Sequence, residues 1–280
     1  LAFQIVTNLD APDIVVLEEV QDNSGAVDDG VVAADQTYQA LVDAITTAGG
    51  PAYSFVDIAP EDNMDGGAPG GNIRVGFLYR TDRGLSFVSR LGGDAVTAAT
   101  VAMGLTGVEL SISPGRIDPT NAAWFDSRKP LVGEFLFNNR KVCVIGNHFN
   151  SKSGDTYLFG RVQQPVLNSE IQRIQQAEVV NAFVDQILAL DPTALVVVAG
   201  DLNDFQFSNP LVALEGGVLT NLHSLNPPEE RYTYIYDGNS QALDHILASQ
   251  VLMDAEPALD VVHINAEYDH LEKVDRKSVV

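Results

Sequence analysis

The sequence predicts a single α/β (α+β) domain built from mixed β-sheet and flanking helices. The chain has 280 residues, of which 45% are hydrophobic, so it can bury one large core. Runs rich in β-branched residues recur along it and are interspersed with stretches of helical periodicity. Two of these runs are separated only by Asn138-Asn139-Arg140, which favours an antiparallel hairpin and therefore a mixed sheet.

The predicted strands share β-branched composition and turn-forming residues at their ends. They span residues 13–17, 73–79, 131–137, 141–146, 194–199 and 243–248.

Two helices are predicted. Over residues 169–190, apolar side chains recur at spacings of three and four. Asn168 or Ser169 is placed to accept amide hydrogen bonds at the start of this helix, and Pro192 ends it. A second helix is expected over residues 35–47.

Charge and apolar pattern limit the possible functions. The formal net charge of -22 argues against a high-affinity nucleic-acid-binding module, although an enzyme needs only a local basic or metal-bearing site. No run of about 18 apolar residues occurs, so we expect no transmembrane helix and no stable membrane association. Residues 1–6 show no features of a signal peptide. The only cysteine, Cys143, lies in an apolar run and is predicted to be a buried strand thiol.

Residues 59–71 form a loop rich in Gly, Asp and Pro. Two interpretations stay open for it. The loop is either a solvated connection or a structural calcium site that uses Asp62 and Asp65, because acidic side chains and backbone carbonyls suit Ca²⁺.

Polar side chains lie at an end of four of the predicted strands. Glu19, His148, Asp201 and Asp244 each lie at or just beyond a strand end, and Asn203 follows Asp201 by two residues. Any one of these could be a turn former or a helix cap. Together they favour a site, because ligands are often met at strand ends.

The residue types in this set indicate metal-assisted chemistry. Carboxylates with an amide suit Mg²⁺ or Mn²⁺, and histidine suits proton transfer near neutral pH. Gly200, directly before Asp201, is expected to permit a tight turn. No His/Cys cluster with zinc-ligand spacing and no Gly-rich phosphate loop occurs, which disfavours a zinc hydrolase and a nucleotide triphosphatase.

The ordered motifs resemble those of the endonuclease/exonuclease/phosphatase (deoxyribonuclease I-like) superfamily, and they are most similar to bacterial extracellular nucleases. The resemblance implies a four-layer α/β sandwich with two packed mixed β-sheets flanked by helices, formed by residues 1–280 as one domain. The motifs are Leu17-Glu18-Glu19-Val20, residues 72–80, residues 127–131, Gly146-Asn147-His148-Phe149, Gly200-Asp201-Leu202-Asn203-Asp204 and Leu243-Asp244-His245-Ile246-Leu247.

The resemblance also implies roles for single residues. Glu19 would bind the catalytic divalent metal with Asp201, and His148 would hydrogen-bond the scissile phosphate or protonate the leaving oxygen. Asp201 and Asn203 would orient the attacking water and the phosphoryl oxygens, with Asp244 as a further acidic partner.

Three residues are expected to bind substrate phosphate: Arg128, Arg74 and Asn147. The open alternatives are a solvated charge before a strand for Arg128 and a surface residue on an edge strand for Arg74.

The two ends of the chain depart from the family pattern. The family begins with a strand that ends in a metal-ligating Asn, whereas the first residues of this chain resemble the helix that follows that strand. At its C-terminus the family has a Ser-Asp-His-x-Pro-Val pattern, whereas this chain has Tyr268-Asp269-His270-Leu271. Asp269 and His270 are the candidate general-base pair, with Asp269 also a metal ligand; the alternative is an ordinary surface pair in a frayed tail.

The expected activity is Mg²⁺- or Mn²⁺-dependent phosphodiester hydrolysis by a secreted endonuclease acting on DNA, with RNA as the alternative nucleic-acid substrate. Two other functions stay open. One is a phosphomonoesterase or sphingomyelinase-like hydrolase of the same fold, for which only Trp124 and Phe125 suggest an apolar hairpin. The other is a catalytically impaired domain that binds phosphate or metal.

Overall fold

The structure is a computed structural model that describes residues 1–157, 159–236, 238–264 and 266. Within these residues, two β-sheets of three and seven strands and two small two-stranded ribbons are formed. The mixed sheet and helices predicted from the sequence are therefore confirmed.

The smaller sheet is antiparallel throughout, in the order β1-β3-β2. Its strands are β1 (Ile14–Val20), β2 (Tyr53–Asp57) and β3 (Arg74–Arg80). β3 lies in the centre, so the expectation that Arg74 belongs to an edge strand is wrong.

The larger sheet is mixed, because β9 and β10 pair in parallel and the other pairs are antiparallel. Its order is β11-β14-β10-β9-β8-β4, with β7 paired to β8. The strands of this sheet are β4 (Leu85–Phe87), β7 (Gly115–Arg116), β8 (Leu131–Phe137), β9 (Arg140–His148), β10 (Leu195–Asp201), β11 (Leu219–Asn221) and β14 (Asp244–Ser249).

The β8–β9 hairpin confirms the turn predicted at Asn138-Asn139. Both residues have positive φ, 49° and 62°, a conformation that asparagine tolerates better than most residues and that tight hairpins require. The two ribbons pair β5 with β6 and β12 with β13. Their strands are β5 (Val101–Gly104), β6 (Gly107–Leu110), β12 (Tyr234–Tyr236) and β13 (Asn239–Gln241).

The two predicted helices are present, α1 over Asp35–Thr47 and α2 over Glu170–Leu190. The predicted cap of α2 is wrong: the Ser169 hydroxyl donates to Asp155 and accepts from Arg173, so it makes no bond to the helix amides. The remaining helical elements are short. They are the π-helical segment Gln4–Asn8, α3 (Asn209–Glu215), α4 (Gln250–Met253) and the 3₁₀ turns Ala122–Trp124, Leu222–Leu225 and Pro228–Glu230.

Side-chain alternation along the strands builds the four layers. Phe77 of β3 and Val144 of β9 lie in the core between the two sheets. Leu78, the next residue of β3, packs in a cluster with Tyr38 of α1. Ile145, the next residue of β9, packs in the cluster that contains the buried face of α2. Successive strand residues thus face different layers, and the predicted four-layer sandwich is confirmed.

The sheets approach each other closely at Gly146 of β9. A Cβ atom there would lie 2.6 Å from Val75 Cγ1, 2.9 Å from Val16 Cγ1 and 3.1 Å from Phe77 Cε1. Glycine therefore allows β9 to pass directly under the smaller sheet, two residues before His148.

Other predictions can be compared with the fold. Cys143 is buried, and burial raises the pKa of its thiol to about 12, so the predicted unreactive strand thiol is confirmed. Asp65 is also buried, and both of its carboxylate oxygens accept from cations, Oδ2 from Arg116 and Oδ1 from Lys129. The calcium interpretation of this loop is therefore wrong for Asp65. Within the described residues, no helix is long and apolar enough to cross a membrane.

Replacement of Gly146 tests the close approach of the sheets. Gly146→Ala is expected to lower the free energy of unfolding by about 1–3 kcal/mol, because the added methyl overlaps three core side chains. Urea unfolding measures this loss. Gly71→Ala, where the nearest atom is a loop carbonyl at 3.3 Å, is the control, and equal stability of the two variants would contradict the packing described here.

Candidate active site

The candidate site lies where three neighbouring strands of the larger sheet bring polar residues to one edge. In the strand register, Asp201 of β10 pairs with His148 of β9 on one side and with Asp244 of β14 on the other. Like charges directly opposite each other in a sheet are unfavourable. The pairing of Asp201 with Asp244 is therefore a feature of a functional site rather than of a stable sheet.

The smaller sheet contributes Glu19. Its Oε1 atom lies 4.0 Å from His148 Nε2, and Asp201 Oδ2 lies 3.9 Å from the same nitrogen. The structure thus brings together three strand-end residues that the sequence singled out, from strands in two different sheets.

A break in the β1 ladder directs Glu19. The register between β1 and β3 shifts between Leu17 and Val20, and Glu19 has a φ of 56°. Such irregularities re-aim a side chain at strand ends. The Glu19 side chain is 52% exposed, which leaves its carboxylate accessible to solvent.

Glu18 interacts with the carboxylates of the site and was not assigned a role from the sequence. Burial, together with repulsion from Asp244, Asp201 and Glu19, raises the pKa of the Glu18 carboxyl well above its ordinary value. The motif Leu17-Glu18-Glu19-Val20 does not indicate which of its two glutamates is buried, so the burial of Glu18 could not be predicted.

The Asp201–Asn203 segment is ordered by its own hydrogen bonds. Asp201 Oδ1 accepts from the Asn203 amide at 2.9 Å, and Asn203 Nδ2 donates to the Phe149 carbonyl at 3.0 Å. Gly200 does not form the predicted tight turn, because it lies within β10. A Cβ atom there would lie 1.9 Å from the Asn147 carbonyl oxygen, so the close approach of β9 requires glycine.

Arg128 lies beneath the site and is only 6% exposed, so its interpretation as a solvated charge is wrong. Its Nη2 atom donates to the Phe149 carbonyl at 2.8 Å, the same oxygen that accepts from Asn203. Burial lowers the pKa of the Arg128 guanidinium, and the nearby carboxylates of Asp201 and Glu19 oppose this shift. Arg128 therefore supplies positive potential to the site.

For the other two expected phosphate-binding residues, burial contradicts this role. Arg74 is 2% exposed, and its guanidinium donates to Asp57 and to the Asn72 carbonyl, which makes it part of the interior of the smaller sheet. Asn147 is fully buried, and its Nδ2 atom donates to the Ala199 carbonyl of the adjacent strand. Because strand side chains alternate, Asn147 faces the opposite side of β9 from His148.

Asp204 holds the loop that follows Asp201. Its carboxylate accepts from Arg173 Nε at 2.8 Å and from Lys152 Nζ at 3.0 Å, and its carbonyl lies 2.8 Å from His245 Nε2. The Arg173 side chain is fully buried and reaches this loop from α2. Nothing in the helical pattern of α2 distinguishes Arg173 from a surface arginine, so the contact was not predictable.

Two buried histidines pack behind the site. The rings of His223 and His245 meet edge to face with centroids 5.1 Å apart. Burial lowers the pKa of both imidazoles, and that of His245 falls to about 4. The remaining expected residues, Asp269 and His270, lie outside the described residues.

The donor set fits a hard divalent cation. Glu19, Asp201 and Asp244 bring carboxylates close together, and after burial itself their charges contribute to the raised pKa of Glu18. In the described part of the chain, no group of three or more His, Cys, Asp or Glu side chains is arranged to hold a metal. One or two carboxylates are sufficient for Mg²⁺, which keeps several of its waters, and Glu19 with Asp201 would hold it here.

Strand-end carboxylates beside a histidine are groups that metal-assisted hydrolysis of phosphoester bonds uses. The model of the Endonuclease/Exonuclease/phosphatase family matches residues 3–261, and the chain belongs to this family. The resemblance stated from the motifs is thereby confirmed at the level of the superfamily, whose enzymes generally use divalent metals such as Mg²⁺.

Solved structures with the same fold include two proteins from distant organisms. The mannosyl-6-phosphatase of Bacteroides thetaiotaomicron VPI-5482 is 15% identical, with a TM-score of 0.51 over 89% of this chain and 74% of that chain. Truncated TDP2 of Caenorhabditis elegans is 17% identical, with a TM-score of 0.51 over 88% of this chain and 74% of that chain. No curated protein sequence matches at a significant level. At these identities the similarity shows the fold alone.

The buried His245 predicts loss of stability in acid. The unfolded chain takes up a proton near pH 6.5, whereas the native imidazole takes one up only near pH 4, so stability falls as the pH drops through this window. Because of His245, the free energy of unfolding is expected to be about 3 kcal/mol lower at pH 4 than at pH 7. Urea unfolding at several pH values measures this difference.

His245→Gln is the matched variant, because its amide can still donate to the Asp204 carbonyl but does not titrate. Its stability should decline less between pH 6.5 and pH 4, with the remaining slope from His223 and other groups. If the stability of His245→Gln falls with pH as steeply as that of the unmodified chain, the assignment of this pH dependence to His245 is contradicted.

Proposed function

We propose that this chain is a Mg²⁺- or Mn²⁺-dependent phosphodiesterase that hydrolyses nucleic acid, DNA or RNA, as a secreted endonuclease. The observation that carries the proposal is the convergence of Glu19 and Asp201 on His148, at 4.0 and 3.9 Å. Carboxylates for a hard cation and an imidazole for proton transfer are the groups that water attack on a phosphodiester requires.

The positions of the residues support the roles that the resemblance implies. His148 donates a hydrogen bond to the scissile phosphate or a proton to the leaving oxygen, since it lies centrally between the two carboxylates. Asp201 and Asn203 orient the attacking water and the phosphoryl oxygens, and Asp244 is the adjacent acid. Arg128 provides buried positive potential that favours an anionic substrate.

Glu19 and Asp201 would hold the divalent ion, which when bound stabilises charge on the phosphoryl oxygens. The general-base pair Asp269-His270, with Asp269 as an additional metal ligand, remains a proposal from the sequence. A sphingomyelinase-like activity has less support, because Trp124 is buried and only Phe125 of the suspected apolar hairpin is exposed.

Substitution of the site residues tests the activity. Asp201→Asn and His148→Ala are each expected to lower kcat/KM for plasmid DNA with Mg²⁺ by at least about 100-fold, because each removes a group that acts on the reacting atoms. Nicking of supercoiled plasmid measures the rate, and excess chelator should abolish it in the unmodified chain.

Asp185→Asn is the control, since it makes the same chemical change at an exposed position of α2. Circular dichroism and urea unfolding establish that the variants are folded. The proposal is contradicted if folded Asp201→Asn or His148→Ala cleaves DNA as fast as the control. Parallel assays on RNA, sphingomyelin, inositol phosphates and mannose 6-phosphate separate it from the other hydrolase activities, and divalent-ion binding without any hydrolysis would indicate a non-catalytic domain.

A further inference from the structure

An open cleft of about 860 Å³ lies beside the candidate active site, with Asp201, Asn203 and Asp244 in its wall. The rest of its wall is rich in aromatic side chains from three separate parts of the chain. These are Tyr157 and Phe159 after β9, Phe205 after β10, and Tyr234 and Tyr236 of β12. We call this site-adjacent surface the aromatic cleft.

Several rings of the aromatic cleft are exposed to an extent unusual for such large apolar groups. Phe159 is 83% exposed, Tyr157 is 74% exposed and Tyr236 is 48% exposed. Phe207, which stacks on Phe205, is 74% exposed. Single exposed apolar residues need no explanation, but a cluster beside a polar site marks a binding surface.

The rings are arranged for stacking. Phe205 and Phe207 lie with centroids 5.5 Å apart and planes 28° apart, and Tyr234 and Tyr236 lie 6.4 Å apart at 20°. Lys152 Nζ lies 4.6 Å from the centre of the Phe205 ring, which adds a cation to the same wall. Exposed aromatic faces beside a cation are features of the grooves that stack unpaired bases.

The net charge of -22 repels nucleic-acid phosphates, so the affinity for a strand must come largely from its bases. In a duplex the base faces are stacked on each other and cannot reach aromatic side chains. A strand with unpaired bases presents those faces freely.

We infer that the aromatic cleft binds the bases next to the scissile phosphate, so that the preferred substrate is single-stranded or unpaired nucleic acid. This inference rests on the proposed function and specifies its substrate. A ligand with a single sugar ring would contact only one aromatic face of the cleft. A strand can use more of the cleft, because aromatic rings from three chain segments can stack several bases in succession.

Binding without cleavage tests the inference. Fluorescence anisotropy in excess chelator measures Kd for an oligothymidylate and for an abasic oligomer of equal length and charge, both labelled at the 3′ end. The unmodified chain is expected to bind the oligothymidylate at least about tenfold more tightly than the abasic oligomer, because only the oligothymidylate has bases to stack.

Substitution of single exposed aromatic residues identifies the side chains that bind the bases. Phe159→Ser and Tyr236→Ser should each raise Kd for oligothymidylate at least about fivefold and leave Kd for the abasic oligomer unchanged. Both side chains are exposed, so their removal leaves the core intact. Phe137→Ser is the control, at the far end of the β8–β9 hairpin, about 25 Å along β9 from His148.

The outcomes separate this inference from the proposed function. Equal Kd values for the two oligomers, or no measurable binding of either, would overturn the inference even if plasmid DNA is still cleaved with Mg²⁺. Tight, ring-dependent binding of oligothymidylate would support it. Hydrolysis of mannose 6-phosphate or inositol phosphates with no cleavage of any nucleic acid would overturn the proposed function itself, and this inference with it.

Discussion

The pairing of β10 with β9 on one side and β14 on the other is the constraint on which the site depends. It places Asp201 beside both His148 and Asp244, and it is possible only because Gly200 lets the backbone of β9 approach. Gly146 has the corresponding role between the layers, since it allows the smaller sheet to lie directly over β9. Together the two contacts bring Glu19 to His148.

The elements of the fold were largely predictable because local patterns decide them. α1 was predicted with its observed bounds, and the turn at Asn138-Asn139 has the backbone conformation that its residues suggest. The convergence of strand-end residues was also predictable, since parallel neighbours such as β9 and β10 end at the same sheet edge. Each of these features depends on nearby sequence or on a general rule of sheet geometry.

The errors concern properties that local sequence does not determine. Whether an arginine or asparagine near a strand end is buried depends on which strand is central and which face it occupies, and this decided the outcome for Arg74, Asn147 and Arg128. Likewise, Asp65 carries no local sign of its partners Arg116 and Lys129, which lie 51 and 64 residues away. The aromatic cleft, assembled from three distant segments, could not be recognised for the same reason.

The clamp on Asp204 has a consequence for how the site behaves before any ion or substrate arrives. Arg173, Lys152 and His245 hold this residue through groups of the protein alone. The backbone that presents Asp201 and Asn203 is therefore preorganised, and little reorganisation energy is spent when a ligand binds. Loss of a bound cation would therefore stop catalysis and leave this loop folded, and rebinding of the ion would restore the site with no refolding of the loop.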